Sequence, residues 1–407
     1  MSTQDVVVVG AGVVGLSIAL AAQARGLTVR VIDREGPSAG ASAGNAGAFA
    51  FPEVLPLASP KVMRQAPKWL LDPLGPLSIP PQYALKIAPW MYRFWRASWP
   101  AEVRASTVAL TELNAISKRA LKPFLQDNDL MDMLHHDGQL LVYEGRSEFE
   151  ASLPGWKVRE DADIPFRHLI GDDIAEVQPG LHPRFTHATF TPEWYSISDP
   201  KLYTLALAEQ FRAKGGEIVI AEATSLVDGG VQTSVGKMTG KIVLAAGAFS
   251  HHLARTAGVK IPLETERGYN TTLPPDAVDL RCHVTFGGHG FVISKLTTGI
   301  RVGGAVELGG LKLPPNYKRA EALLTKAKQF MPALKTTGGT QWMGFRPSLP
   351  DTLPALGPLP GRPDVICAFG HGHLGLTQSA GTAEIIADLL VGKAPAMDLS
   401  PFSPARF

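Results

Sequence analysis

A chain of 407 residues that is 45% hydrophobic and 19% charged has the composition of a globular protein with ample apolar material for a core, and its length suggests two or three domains. A formal net charge of +2 supplies no field that would favour nucleic acid or an anionic membrane. Two cysteines, Cys282 and Cys367, cannot build a disulfide framework and no CxxC or Cys/His cluster points to a metal, so a reduced, cytoplasmic setting fits best.

Val6 to Ala24 reads VVVVGAGVVGLSIALAAQA, apolar enough to imitate a membrane span or a signal peptide. The preceding MSTQD carries no Lys or Arg, and three glycines interrupt the run. The segment therefore reads as a β-branched strand, Val6 to Val9, a glycine turn, and a small-residue helix from Leu16 to Ala24 that Gly26 ends. A second strand, Thr28 to Ile32, follows. The turn Gly10-Ala11-Gly12-Val13-Val14-Gly15 has the GxGxxG spacing. Gly10 serves the tight turn, Gly12 the approach of a pyrophosphate, and Gly15 close helix–strand packing. The helix start offers unpaired N–H groups to phosphate. Asp33 lies eighteen residues after Gly15, where a carboxylate accepts from adenosine ribose hydroxyls. An acid there argues against a 2′-phosphate and favours FAD or NAD over NADP.

Ser38 to Ala50, SAGASAGNAGAFA, is a small-residue loop that lets backbone lie against a flat or anionic ligand, with Ser42 and Asn45 as the side-chain hydrogen-bonding groups of its second half; a flexible linker is the plainer reading. Ile87 to Trp99 is dense in aromatics around Arg93 and Arg96. Such an amphipathic helix either rests on a membrane surface, where a quinone acceptor is found, or packs on its own protein, and its shortness and lack of a polybasic face favour the second. A helix over Thr107 to Gln126 follows. Strands are expected at Gln139 to Tyr143, Gly290 to Ser294 and Gly299 to Val306, and the aromatic loop Thr191 to Ser198 is a candidate pocket wall or lid. Pro200 to Lys214 has helical periodicity with a Gly215-Gly216 stop, then a strand at Glu217 to Ile220. Lys241 to Ser250, KIVLAAGAFS, is a strand running into small residues. Near the C-terminus a strand from Asp364 to Phe369 meets the loop Gly370 to Thr377 and a helix from Gln378 to Val391 capped by Gly392. The start of that helix suits negative charge at N1/C2=O of a reduced flavin, whereas a bare NAD module leaves the loop unexplained. His371 and His373, without a third ligand, do not make a metal site.

These stretches, together with IAPWMYRFWRAS, ISDPKL, ERGY, IRVGGAVE, GFRPSLPDTLPALGP and FGHGHLGLTQSAGTAEIIADLL, make the chain resemble the D-amino acid oxidase superfamily of FAD proteins, closest to bacterial D-amino acid dehydrogenases and their hydroxyproline-oxidising relatives. The resemblance covers almost the whole chain. It implies that Gly10, Gly12, Val14 and Gly15 bind pyrophosphate and that Asp33, with Arg34, binds the adenosine ribose. Ser42, Asn45, Ala46 and Gly47 would pass beside the pyrophosphate and isoalloxazine, Thr224 would meet the adenine, and Gly247 would lie by the pyrophosphate. Gly372, His373, Leu374, Gly375, Leu376 and Thr377 would touch the flavin O2 and ribityl chain. Arg346 falls where similar enzymes place the arginine that grips a substrate carboxylate, a planar bidentate match; a structural arginine paired with Asp351 is the alternative. Tyr269 matches a position facing the flavin, or is a half-buried strand aromatic. His289 and Tyr195 are weaker pocket candidates.

The implied architecture is α/β: a discontinuous Rossmann-like FAD-binding domain (1–55, 199–257 and 346–407) and a substrate domain (56–198 and 258–345) built on a mixed or antiparallel sheet. The implied activity is dehydrogenation of a small D-amino acid or cyclic imino acid by hydride transfer from Cα to flavin N5, with D-proline or cis-4-hydroxy-D-proline favoured and oxygen or a quinone as acceptor. A glycine- or sarcosine-type oxidase and an FAD subunit of a larger dehydrogenase remain open alternatives.

Overall fold

A computed structural model describes residues 6–72 and 75–407. The all-valine strand β1 (Val6–Val9) sits inside a six-stranded sheet with β2 (Val29–Asp33), β3 (Glu217–Ile220), β4 (Lys241–Leu244), and the C-terminal pair β8 (Ala355–Leu359) and β9 (Arg362–Phe369). Its order is β3-β2-β1-β4-β9-β8. All pairs are parallel except β8–β9. Val6 and Val8 point into one apolar layer, shared with α1 (Val13–Ala24), α5 (Pro200–Ala213) and α6 (Ser379–Leu390). Val7 and Val9 point into another, with Ile242, Leu244 and the three-stranded sheet of residues 223–239. A strand covered on both faces needs apolar side chains at every position, which is why the run does not alternate. What looks like a membrane span on hydropathy is thus a strand, a turn and a helix, and no helix among the described residues is long and apolar enough to cross a membrane.

The second sheet has nine strands. At one edge lie β5 (Glu264–Leu273), β6 (Gly299–Glu307) and β7 (Thr340–Ser348) in the order β7-β5-β6, all antiparallel. The sheet continues through Phe291–Leu296, His283–Phe286, Gln139–Tyr143, His187–Thr191 and Arg167–Ile170. The 283–286/139–142 pair is parallel, so the sheet is mixed. The helix Lys318–Phe330 buries Leu323, Ala327 and Phe330 against its back.

Residues 60–127 form three helices, α2 (Pro60–Leu71), α3 (Ala84–Ala97) and α4 (Pro100–Asp127). Ile87, Trp90 and Phe94 of α3 pack on Ala58 and Leu308, so one face of the aromatic helix is covered by its own protein. Tyr92, Trp95 and Trp99 remain exposed on or beside it, with Arg96 stacked on Trp99. The segment 191–198, a candidate pocket wall or lid, contributes Trp194 to the cavity described below and is partly a strand: Tyr195–Ile197 pairs with Ala48–Phe49 and Leu134–His135. Tyr195 stacks on His136 and lies outside the cavity described below.

Candidate active site

In the six-stranded sheet the chain order reverses between β1 and β4, and a doubly wound sheet opens a crevice at that point, outside the carboxyl ends of its strands. There Gly10 adopts φ +115° and lies so close to β4's end that a Cβ would overlap the Ala245 carbonyl oxygen. Ser42 reaches over from the small-residue loop and accepts from the Val13 amide at 2.9 Å. The other first-turn amides of α1 have no partner inside the helix, and Gly12 and Val14 border the cavity. The Asp33 carboxylate accepts from the Ala11 amide at 2.9 Å and from those of Glu35 and Gly36 at 2.9 and 3.0 Å, tying the end of β2 to the glycine turn. Arg34 lies 3.9 Å above the Phe249 ring.

The 42–47 loop is folded by its own asparagine: Asn45 donates to the Ser42 carbonyl at 3.0 Å and accepts from the Gly47 amide at 2.8 Å. The second sheet then holds the loop from outside. Asn270 on β5 donates to the Gly44 carbonyl at 2.8 Å, Arg301 on β6 donates to the Asn45 carbonyl at 2.6 Å, and the Trp342 indole of β7 covers Gly44 and Gly344.

A cavity of about 1810 Å³ runs from this cradle to β5 and β7. It exceeds the ~300–1,000 Å³ of a site for one drug-sized ligand and accommodates a dinucleotide with room beside it. Among the expected contacts, Gly10, Gly12, Val14, Asp33 and Arg34 line it, as do Ser42, Asn45, Ala46, Thr224 and Gly247. So do Gly372, His373, Leu374, Gly375 and Leu376 from the C-terminal loop. The donors and the side-chain-free stretch between them fit FAD. Gly15, Gly47 and Thr377 stand behind the wall. The Thr377 hydroxyl accepts from the Ala50 amide at 2.9 Å, so it fastens the loop backbone rather than facing a ligand.

At the far end, register pairs Glu266 with Arg346, Gly268 with Gly344 and Asn270 with Trp342, which puts these six on one face of the sheet. Arg346 donates to the Ala305 carbonyl at 2.9 Å and, among the described residues, forms no ion pair. Asp351, its alternative partner, is held by Arg406 at 2.7 Å. Ala305 has φ +56°, a left-handed conformation costly for alanine, at the place that aims its carbonyl at Arg346. Burial pushes the Arg346 guanidinium down and Glu266 opposes this; an arginine stays charged regardless. Glu266 is 4% exposed and accepts from the Ser348 hydroxyl at 2.7 Å.

Two expected participants are placed otherwise. Tyr269 reaches the cavity wall, but strand alternation puts its side chain on the face opposite Arg346. There its hydroxyl donates to Glu307 at 2.9 Å and accepts from the Asn316 amide at 3.0 Å, so it has no free phenol for a substrate. Glu307 also pairs with the buried Arg267 at 2.6 Å. His289 lies outside the cavity, bonded to Glu144 at 2.8 Å and packed on Phe330. Conversely, Glu266, Asn270, Arg301, Trp342 and Glu53 face or brace the site without having been singled out in the sequence, although Glu266 and Arg301 stand in the ERGY and IRVGGAVE stretches; for the residues on β5, β6 and β7 the signal is register with Arg346 and contact with the glycine loop.

Residues 5–389 match the family described as FAD dependent oxidoreductase (DAO). The chain is similar to the D-amino-acid oxidase of Bradyrhizobium diazoefficiens, at 35% identity with 99% of each chain covered. It is 30% identical to the D-amino acid dehydrogenase of Dechloromonas aromatica, covering 96% of this chain and 97% of the relative. Among solved structures, glycine oxidase from Geobacillus kaustophilus has the same fold, with a TM-score of 0.78 at 22% identity over 100% of both chains. L-proline dehydrogenase from P. horikoshii gives 0.76 at 18% identity over 100% of this chain and 98% of that one.

Proposed function

The chain belongs to the DAO family of FAD-dependent oxidoreductases and is an FAD-dependent amino acid oxidoreductase; on that premise we propose that its substrate is a small D-amino acid or a cyclic imino acid, D-proline or cis-4-hydroxy-D-proline in the narrower reading, held by its carboxylate on Arg346. The observation that carries this is the Arg346 guanidinium itself: half-buried, in the same cavity as the dinucleotide cradle, with one backbone carbonyl as its hydrogen-bond partner among the described residues. A guanidinium in that state offers a planar pair of N–H donors to a carboxylate and fixes the orientation of whatever follows it.

FAD, when bound, accepts the hydride that leaves the substrate Cα. The chain's part is to position and to exclude water. Arg346 anchors, the Ala305 carbonyl keeps its fork aimed, and Trp342 with the 42–47 loop walls the space beside the cradle. On the same reading, 1–55, 199–257 and 346–407 form the FAD-binding domain and 56–198 with 258–345 the substrate domain. The test is the visible spectrum of the purified protein followed by anaerobic bleaching with D-proline, cis-4-hydroxy-D-proline, D-alanine, L-proline, glycine and sarcosine. Bleaching by D-enantiomers or D-imino acids supports the proposal; bleaching by glycine and sarcosine alone would overturn it. Reoxidation in air or by a soluble quinone then identifies the acceptor.

A further inference from the structure

One polar side chain in the cavity, expected at the flavin, has been given no part in the chemistry so far. His373 sits in the loop after β9, and main-chain contacts tie that loop to the end of β7. Ser348 and His371 form a β-bridge, and the Gly372 amide donates to the Pro347 carbonyl at 2.7 Å. His373 is therefore held beside Arg346 and, across the register, beside Glu266. Its side chain is exposed, and it lines the cavity. Among the described residues no group hydrogen-bonds either of its ring nitrogens, whereas the neighbouring His371 is engaged with the Thr382 hydroxyl at 3.1 Å. The charged groups that face it are Glu266 from β5, Glu53 from the segment after Ala48–Phe49, and Arg346 from β7. Glu53 itself is paired with Arg159 at 3.2 Å.

We propose that His373 is the proton acceptor of the reaction: it takes the ammonium proton of the amino acid whose carboxylate rests on Arg346, and Glu266 and Glu53 stabilise the imidazolium that forms. The inference rests on the substrate reading above. The chemistry requires the transfer, because the nitrogen lone pair becomes the C=N bond as the Cα hydrogen leaves with its electron pair to FAD. An α-ammonium group has no lone pair and is mostly protonated at neutral pH. In the transfer one N–H bond of the substrate breaks, one N–H bond of the imidazole forms, and the electron pair stays on the amine. Burial pushes the His373 imidazole down and Arg346 adds to this, so it is neutral and receptive near pH 7; the two carboxylates pull the other way and soften the cost of charging it.

The test uses the FAD-loaded wild-type protein and its His373→Asn, His373→Gln and Glu266→Gln variants. Binding is read from the change in the flavin spectrum on adding 2-aminoisobutyrate, which has no Cα hydrogen, and catalysis from the anaerobic bleaching rate between pH 5 and 10. Both His373 variants are expected to hold FAD and to bind 2-aminoisobutyrate within a few-fold of wild type. Their bleaching at pH 7 should fall about 100-fold or more and rise tenfold per pH unit as the substrate loses its own proton, over a range where wild type is flat. Glu266→Gln should move the acid limb of the wild-type profile to lower pH, because a vanished carboxylate makes the imidazolium harder to form. Uniform slowing with an unchanged pH profile would mean that His373 only shapes the wall, and an unmoved limb in Glu266→Gln would sink the inference even if the His373 variants fail to retain FAD. Failure of every amino acid to bleach the wild type would instead bring down the substrate reading and this inference with it.

Discussion

Where β1 and β4 of the six-stranded sheet meet the cavity, side chains are missing: Gly10, Gly12, Ala245 and Gly247 present backbone, and Asp33 and Ser42 spend their oxygens on amides of the turn. Where β5 and β7 of the nine-stranded sheet meet it, the wall is made of Glu266, Arg346 and Trp342, with His373 delivered alongside. The first region works by close approach and oriented N–H groups, and the second by a few long polar side chains under a low dielectric. A dinucleotide is flat and anionic along most of its length, so removing side chains is the way to bind it. An amino acid is small, and only convergent charged groups can orient it.

If the contrast is right, the two regions should fail differently when altered. The largest effect is expected from Gly10→Ala, which adds a methyl group at φ +115° against the Ala245 carbonyl. A cost on the order of 3–5 kcal/mol and loss of flavin absorbance are expected. Gly26→Ala, also at positive φ but with open space around it, should cost only about 1 kcal/mol and keep its flavin. Similar stabilities for the two would show that close approach is not what Gly10 provides.

Next in size is Glu307→Ala, which strands the Arg267 guanidinium, 1% exposed, without its counter-charge and removes the partner of the Tyr269 phenol. Chemical denaturation should report a loss of about 3–5 kcal/mol. Arg346→Ala should leave folding and flavin content intact while raising KM by roughly 100-fold or more, as two charge-assisted hydrogen bonds disappear. Arg346→Lys should recover only part of this, because a point charge does not reproduce the fork. An unchanged KM in Arg346→Ala would remove the anchor from the account.

The smallest effect concerns acid. Burial holds the His283 imidazole at about 4 and that of His371 at about 3, below the ordinary 6.5. Both are neutral in the fold and gain a proton on unfolding. Their contribution to stability is therefore complete above about pH 6.5 and is lost as pH falls from there toward the folded values. By pH 5 each should forfeit roughly 2 kcal/mol, since one pKa unit is about 1.4 kcal/mol. His283→Gln should flatten the fall of Tm between pH 7 and 5; an equally steep fall would assign acid sensitivity elsewhere.

The same contrast explains what could be read from the chain beforehand. The cradle was legible because close approach is written in consecutive residues: Gly10 to Gly15 and Asp33 stand in one strand–turn–helix–strand unit whose geometry follows from local spacing. Arg346 was legible only through a family pattern. Glu266 became visible as a polar neighbour of Arg346 once strand register was known, and His373, already expected at the flavin, once its loop was seen bridged to the end of β7. The misplacements follow from that gap. Tyr269 is three residues from Glu266, and the odd offset sends it to the other face of β5. His289 ends a short 3-10 turn at residues 287–289, beyond the strand His283–Phe286; Gly287 of that turn lines the cavity, and no local signal says that the histidine side chain is bonded to Glu144 instead. The strand Thr340–Ser348 likewise runs through the expected domain join at 345/346, because a carbonyl ladder does not break where a motif begins.

The 42–47 loop has a consequence for how the protein is made. Its outer fastenings, Asn270 and Arg301, lie more than two hundred residues downstream, and the cavity wall closes only with Leu376. A nascent chain emerges N-terminal end first. The glycine turn therefore leaves the ribosome long before its outer fastenings exist, and capture of the flavin has to wait until the chain has been made through Leu376.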